Sequence, residues 1–94
     1  MPILVTVHIA ATIENAREVD KNHPELREQI TALAKKHRML AHRRFHRDGE
    51  ILDLDEWENA DDFNAFLAEA RPIIDELAQL RGSGAPVDEI WQPA

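Results

Sequence analysis

The sequence predicts a single α+β domain of βαββαβ type, in which helices cover one face of a four-stranded antiparallel sheet. Three observations predict this fold class. The chain opens with a short apolar run rich in β-branched residues, an Asp-Gly pair separates two strand-like runs, and two stretches show the apolar spacing of amphipathic helices. The 94 residues fit one domain, spanning residues 1–94, and leave no room for a second.

Composition narrows the classes of partner. The net charge of -7 disfavours nucleic acid, because an acidic surface repels phosphate groups. The absence of cysteine excludes a disulfide scaffold, a thiolate metal site and a cysteine nucleophile. No apolar run approaches the roughly 20 residues of a membrane span. We therefore expect a soluble cytoplasmic protein that binds neither nucleic acid nor membranes.

The first strand is predicted over Ile3–Ala11, where only two residues are polar. Thr12 is suited to cap a following helix, because its hydroxyl can accept from a free N–H of the first turn. Asn22 and Pro24 resemble a second helix start, with Asn22 as the cap. These signals predict two abutting helices, or one kinked helix, over residues 13–38.

A β-hairpin follows. Strand-like runs over Leu40–Arg47 and Glu50–Trp57 flank Asp48-Gly49. Asp-Gly between two such runs is a strong hairpin signal, because glycine tolerates positive φ. A two-residue turn also fixes which residues face each other across the two strands.

One more helix and one more strand complete the fold. Asn59 is placed to cap the helix, and its apolar stripe includes Phe63 and Phe66. Pro72 is predicted to divide or kink this helix. The last strand is predicted over Val87–Gln92. The order β-α-β-β-α-β is the split βαβ arrangement of ferredoxin-like folds.

This arrangement leaves one sheet face without helices. The first strand is apolar on both sides, and the open face also receives Phe45, Leu52 and Leu54. An exposed apolar face of this kind is usually an interface. We expect a homodimer in which two copies pack sheet against sheet.

The hairpin register predicts a candidate site. Counting outward from the turn puts Arg44 opposite Asp53 and His42 opposite Asp55, two pairs of opposite charge on one side of the sheet. His46 opposite Ile51 and Leu40 opposite Trp57 extend the same side. Helices and a partner copy would enclose this cluster at least in part, and enclosed charge suggests a functional pocket. His8, on the neighbouring strand, is expected to point into the same space.

Two other interpretations remain open. The pairs are also what an ordinary charged sheet edge looks like, since edge strands carry charge for solubility. His42, Asp55 and His8 could instead form a two-His-one-carboxylate metal site. Nothing in their spacing is diagnostic of a metal, and the neighbouring Arg44 disfavours a cation.

The stretch Gly49–Phe66 resembles the third strand and following helix of the antibiotic-biosynthesis monooxygenase superfamily, the dimeric α/β-barrel proteins. The similarity includes Asp55-Glu56-Trp57-Glu58 and then A-x-x-F-x-x-F, and both Leu40–Phe45 and Pro2–Val7 fit as well. The resemblance implies a ferredoxin-like protomer, a dimer whose sheets form a barrel, and a pocket between the sheet and the helices of each protomer.

The resemblance also implies an activity. Well-studied members oxidise aromatic polyketides or quinol precursors with molecular oxygen and no cofactor. They carry an Asn and a Trp four residues apart on the third strand and a Tyr early on the next helix. Trp57 matches the Trp, whereas Asp53 stands where the Asn would be and Phe63 where the Tyr would be.

Our leading hypothesis is therefore an enzyme without cofactor or metal that acts on a small aromatic or quinone-like substrate. Asp53 or His42 would be the base, and Arg44 would stabilise the oxyanion. Further substrate-binding candidates are Trp57, Phe63, Phe66, His8, His46 and Asp55. The alternatives are a cyclase or isomerase of the same fold, a non-catalytic binding or stress-associated dimer, and a metal-dependent lyase or dioxygenase.

Overall fold

The computed structural model describes all 94 residues and contains four strands and three helices. In chain order these are β1 (Ile3–Ile9), α1 (Ile13–Asn22), α2 (Pro24–Lys36), β2 (Met39–Arg47), β3 (Glu50–Trp57), α3 (Ala60–Arg81) and β4 (Val87–Trp91). The predicted element order is confirmed. None of the helices has the length and apolar character needed to cross a lipid bilayer.

The four strands form one antiparallel sheet in the order β2-β3-β1-β4, as predicted for the ferredoxin-like arrangement. The central strand β1 turns Ile3, Val5 and Ile9 towards the helices, and all three are buried. The strands β2 and β4 are the two edges. The three helices cover one face of the sheet and leave the other open.

The predicted hairpin register is confirmed except at its far end. Gly49 adopts a φ of +75°, which a glycine reaches without the steric penalty of a Cβ. His42 pairs with Asp55 and Arg44 with Asp53, as counted from the turn. A bulge between Met39 and Ala41 then shifts the register, so that Met39 faces Trp57. The predicted pairing of Leu40 with Trp57 is wrong, because the extra residue of the bulge carries Leu40 out to solvent.

The helices between β1 and β2 are two separate elements. Thr12 caps α1, with its Oγ1 accepting from the Asn15 N–H at 3.1 Å. The predicted cap Asn22 is instead the last residue of α1, and His23 occupies the N-cap position of α2 without a side-chain capping bond. Pro24 begins α2, where its missing N–H leaves no intrahelical bond unmade.

The helix α3 is continuous over 22 residues. Asn59 caps it as predicted, with Oδ1 accepting from the Asp62 N–H at 2.8 Å. Pro72 lies within α3 and does not divide it. Gly82 ends the helix in the left-handed conformation.

The largest core cluster joins β1 and β3 to α3. Trp57 is fully buried and packs against Phe63 and Phe66, with ring centroids 5.7 Å and 4.9 Å away. These distances fit the tilted aromatic contacts that proteins favour. This cluster packs the first turns of α3 against the sheet. It therefore sets the distance between α3 and the neighbouring part of the sheet.

Candidate functional site

A cavity of about 260 Å³ lies between the helix-covered face of the sheet and helices α2 and α3. Half of its lining residues are hydrophobic, namely Val7, Ile9, Ile30, Ala34, Met39, Phe63, Phe66, Leu67, Ile74 and Leu77. This composition, an apolar wall with a few polar groups, is typical of small-molecule sites. The two predicted charge pairs form part of the same wall.

The Arg44–Asp53 pair is bidentate. Arg44 donates from Nε to Asp53 Oδ1 at 2.6 Å and from Nη2 to Oδ2 at 2.8 Å. Asp53 is only 6% exposed, so the pair offsets the cost of burying its carboxylate. The hydrogen bond with Asp53 raises the pKa of Arg44, which burial alone would lower. The parallel bonds hold both side chains in one orientation.

The His42–Asp55 pair joins His42 Nδ1 to Asp55 Oδ1 at 2.5 Å. Asp55 is buried, whereas the His42 side chain, which also lines the cavity, keeps 35% of its surface exposed. The hydrogen bond with Asp55 raises the pKa of His42 above its ordinary value of 6.5 and outweighs the opposing effect of burial. Because Nδ1 is engaged, Nε2 is the nitrogen free to exchange a proton with a ligand.

Both aromatic candidates on α3 line the cavity, whereas Trp57 does not. Phe63 and Phe66 contribute to its wall. Trp57 lies behind them in the core, and its Nε1 is buried without a hydrogen-bond partner. Trp57 therefore positions the two phenyl rings rather than contacting the cavity itself.

The structure places the other two histidine candidates outside the cavity. His8 lies between Val7 and Ile9, so it points to the open face of the sheet, where Nε2 is 3.4 Å from Glu89 Oε1. The expected approach of His8 to His42 and Asp55 does not occur. His46 faces Ile51 as predicted but is exposed and not part of the lining.

No group of three His, Cys, Asp or Glu side chains has an arrangement that could hold a metal ion. The proposed metal triad fails at His8, which lies on the opposite face of the sheet from His42 and Asp55.

Sequence reasoning missed four charged residues of the cavity, three of them arginines: Arg27, Arg71, Arg81 and Asp88. Helical spacing could have found two of these. Arg71 follows Leu67 by four residues, and Arg81 follows Leu77 by four, so both lie on the apolar stripe of α3. Burial raises the pKa of Asp88, and the nearby Arg71 opposes that effect.

No profile of a known protein family matches the sequence, and no curated protein matches it either. Solved structures do match. The chain has the fold of the antibiotic biosynthesis monooxygenases, which confirms at the level of the fold the resemblance seen in the sequence.

Three of these structures illustrate the likeness. ActVA-Orf6, a monooxygenase of Streptomyces coelicolor in complex with nanaomycin D, has a TM-score of 0.70 at 13% identity, covering 98% of this chain and 87% of that one. SnoaB, a cofactor-independent oxygenase of Streptomyces nogalater, has a TM-score of 0.65 at 12% identity, covering 98% and 92%. A conserved protein of Methanosarcina mazei has a TM-score of 0.72 at 11% identity, covering 100% of this chain and 94% of that one. Identities this low indicate a shared fold and leave the substrate open.

Proposed function

We propose that this one-domain protein is a cofactor-independent, monooxygenase-like enzyme that acts on a small aromatic or quinone-like compound bound between sheet and helices. The observation that carries the proposal is the His42–Asp55 pair at the wall of a cavity lined by Phe63 and Phe66. Two proteins of the same fold support it, one being a cofactor-independent oxygenase and the other a monooxygenase in complex with nanaomycin D.

His42 is the better of the two candidate bases. Asp55 engages Nδ1, which favours the tautomer with a free lone pair on Nε2. Asp53 has both carboxylate oxygens bonded to Arg44, so accepting a substrate proton would break a bidentate ion pair. His42 Nε2 would therefore remove the substrate proton, and Asp55 would stabilise the imidazolium that forms.

Molecular oxygen would be the oxidant. For an anthrone-type substrate, deprotonation gives an electron-rich anion that transfers electrons to O₂. The reacting CH₂ becomes a ketone that keeps one oxygen atom, and its two hydrogens leave with the other oxygen as water. Arg44, whose Nη1 takes no part in the bonds to Asp53, would stabilise the oxyanion of the deprotonated substrate.

Oxygen uptake with anthrone as the substrate tests this function. We expect uptake above the uncatalysed rate that is matched by formation of anthraquinone. Replacing His42 should lower kcat by about 100-fold or more, because that is the usual contribution of a general base. The matched pair of variants is His42→Gln and His23→Gln, since His23 lies at the junction of α1 and α2 outside the cavity.

The outcomes separate the candidate functions. An equal loss of kcat in His42→Gln and His23→Gln, or oxygen uptake that survives His42→Gln, would contradict the assignment of His42 as the base. Turnover of the probe without oxygen consumption would indicate the cyclase or isomerase alternative. Binding with no turnover at all would favour the non-catalytic dimer.

We also propose that the protein works as a homodimer joined through the open face of the sheet. Phe45, Val87 and Trp91 lie on this face with 41%, 59% and 54% of their surfaces exposed. Leu4 and Leu52 on the two inner strands are half-buried on the same face. An apolar face of this kind is typical of a surface that another molecule covers. A second copy related by two-fold symmetry would cover it with the same apolar residues.

A further inference from the structure

Arg81 is a buried arginine without a protein partner. It is the last residue of α3, it lines the cavity, and it is only 9% exposed. Its guanidinium makes no hydrogen bond or ion pair with another side chain, and its Nε is fully buried without an acceptor. A buried charge of this kind normally has an anion or several acceptors beside it, because an unpaired one costs several kcal/mol.

The surrounding charges do not neutralise Arg81. Asp20 and Asp53 are the carboxylates whose charges act on Arg81, and neither forms a hydrogen bond or ion pair with it. Asp53 holds Arg44 by two hydrogen bonds, whereas Asp20 Oδ2 lies 3.7 Å from Arg27 and Asp20 Oδ1 is buried without a partner. Burial lowers the pKa of Arg81, and the neighbouring guanidinium of Arg44 lowers it further. Three arginines therefore share two carboxylates at this end of the cavity.

The position of Arg81 is fixed by the fold. Asn15 of α1 donates from Nδ2 to the Arg81 carbonyl at 2.7 Å, which joins the two helices. Gly82 then ends α3 in the left-handed conformation. These contacts fix the backbone of Arg81, and a buried side chain on a fixed backbone loses less entropy on binding than an exposed, mobile one.

The cavity concentrates arginine in an acidic protein. Four of the eight arginines of the chain line it, and none of its three lysines does, although the net charge of the chain is -7. Arginine is the side chain suited to bidentate recognition of a planar anion, because its N–H groups form a rigid fork. Three aspartates also line the cavity, so a singly charged anion would be repelled less than a phosphate dianion.

We propose that Arg81 binds the carboxylate of an aromatic acid, so that the ligand of this cavity carries a carboxylate in addition to its reactive ring. This inference rests on the proposed function for the location of the ligand but does not depend on catalysis. The cavity of about 260 Å³ is slightly smaller than the range of about 300–1,000 Å³ for typical ligand sites. A compact aromatic acid of one to three fused rings is therefore the class that fits.

Calorimetric titration under nitrogen tests the proposal, since it measures binding without oxygen turnover. The probes are 1-hydroxy-2-naphthoate and 1-naphthol, which share the rings and the hydroxyl and differ in the carboxylate. We expect the wild type to bind the carboxylate probe about tenfold more tightly, the effect of one charge-assisted hydrogen-bonded pair. Arg81→Gln should lose this preference and keep its affinity for 1-naphthol.

Arg17→Gln is the matched control, because it removes an exposed arginine of α1 with the same change in net charge. It should retain the full preference. If Arg81→Gln does not fold, Arg81→Met replaces it, since an unbranched apolar chain removes the unpaired charge and keeps the packing of the stem. The carboxylate probe should also raise the Tm of the wild type more than 1-naphthol does, whereas the two probes should raise the Tm of either Arg81 variant by the same amount.

Equal affinity of the wild type for the two probes, no binding of either probe, or an equal loss of both affinities in Arg81→Gln, would overturn the inference. Its failure is distinguishable from failure of the proposed function. Oxygen uptake with anthrone but no preference for the carboxylate would reject only the role of Arg81. A carboxylate preference with no oxygen uptake by any probe would reject only the monooxygenase activity.

Discussion

Paired and unpaired charges lie side by side in this cavity, and the difference separates structural from ligand-binding roles. Arg44 and Asp53 satisfy each other through two bonds, so the pair holds one wall in place and leaves only Nη1 of Arg44 for a ligand. His42 engages Asp55 through one nitrogen and keeps the other for a ligand. Arg81 engages no side chain at all. Capacity for a ligand therefore increases from Arg44 to His42 to Arg81.

The titration of His42 gives a direct test of its pairing. Asp55 raises the pKa of His42 above 6.5, so the ring should protonate at a higher pH than in an unfolded chain. Asp55→Asn should lower this pKa, because it removes both the charged acceptor and the attraction to the imidazolium. Proton NMR of the His42 ring across the pH range measures the change.

The sign of the matching effect on stability follows from linkage. A pKa raised in the folded state means that the pair stabilises the fold below pH about 6.5 and that this contribution is lost as pH rises through the raised pKa. The difference in unfolding free energy between wild type and Asp55→Asn should therefore shrink from pH about 6 to pH about 9. A difference that grows over this range, or an unchanged His42 pKa in the variant, would contradict the pairing.

At the residue scale, sequence reasoning found the pairs and missed Arg81. Both pairs follow from the count outward from Asp48-Gly49, since a two-residue turn fixes the register of the strands. Arg81 lies on the apolar stripe of α3, yet a terminal helix arginine is ordinarily explained by the helix dipole. Only the position of the cavity distinguishes the two explanations.

Helix and strand boundaries were predictable where a local side-chain bond determines them, and less predictable where packing against the core determines them. The caps at Thr12 and Asn59 depend on one side-chain bond each, and both are present. The bulge around Leu40 has no local signal, because it follows from seating Met39 against the core. Pro72 stays inside α3, where the packing of one long apolar stripe against the sheet outweighs the proline penalty.

The cap of α3 offers a test at the scale of the element. Asn59→Ala removes the acceptor of the Asp62 N–H and should lower the free energy of unfolding by about 1 kcal/mol. The control is Asn64→Ala, the same substitution at an exposed position inside the helix, where alanine has the better helix propensity. Urea denaturation measures the free energy of unfolding of both variants. Equal stability losses in the two variants would show that the capping bond contributes nothing specific.

At the scale of the molecule, the two faces of the sheet have different tasks. One face holds the cavity under the helices, and the other presents a half-buried to exposed apolar surface. The sequence predicted both faces, because alternation along β2 and β3 separates His42 and Arg44 from Arg43 and Phe45. Volume and depth of the cavity could not be predicted, since they depend on how far α3 stands from the sheet.

The open face leads to the last prediction. Phe45→Glu should convert a dimer of the 10.8 kDa chain into a monomer, because two-fold symmetry would place a buried charge on both copies at once. The variant should still fold, because Phe45 is 41% exposed in the single chain and the new carboxylate would be solvated there.

Leu80→Glu provides the control for that experiment, because Leu80 is 39% exposed on α3 and Phe45 is 41% exposed on the sheet. The two variants introduce the same charge at equal exposure on opposite sides of the molecule. Sedimentation velocity should find a monomer for Phe45→Glu and a dimer for Leu80→Glu. A monomeric wild type would refute the dimer, and a dimer that tolerates Phe45→Glu would place the interface on another surface.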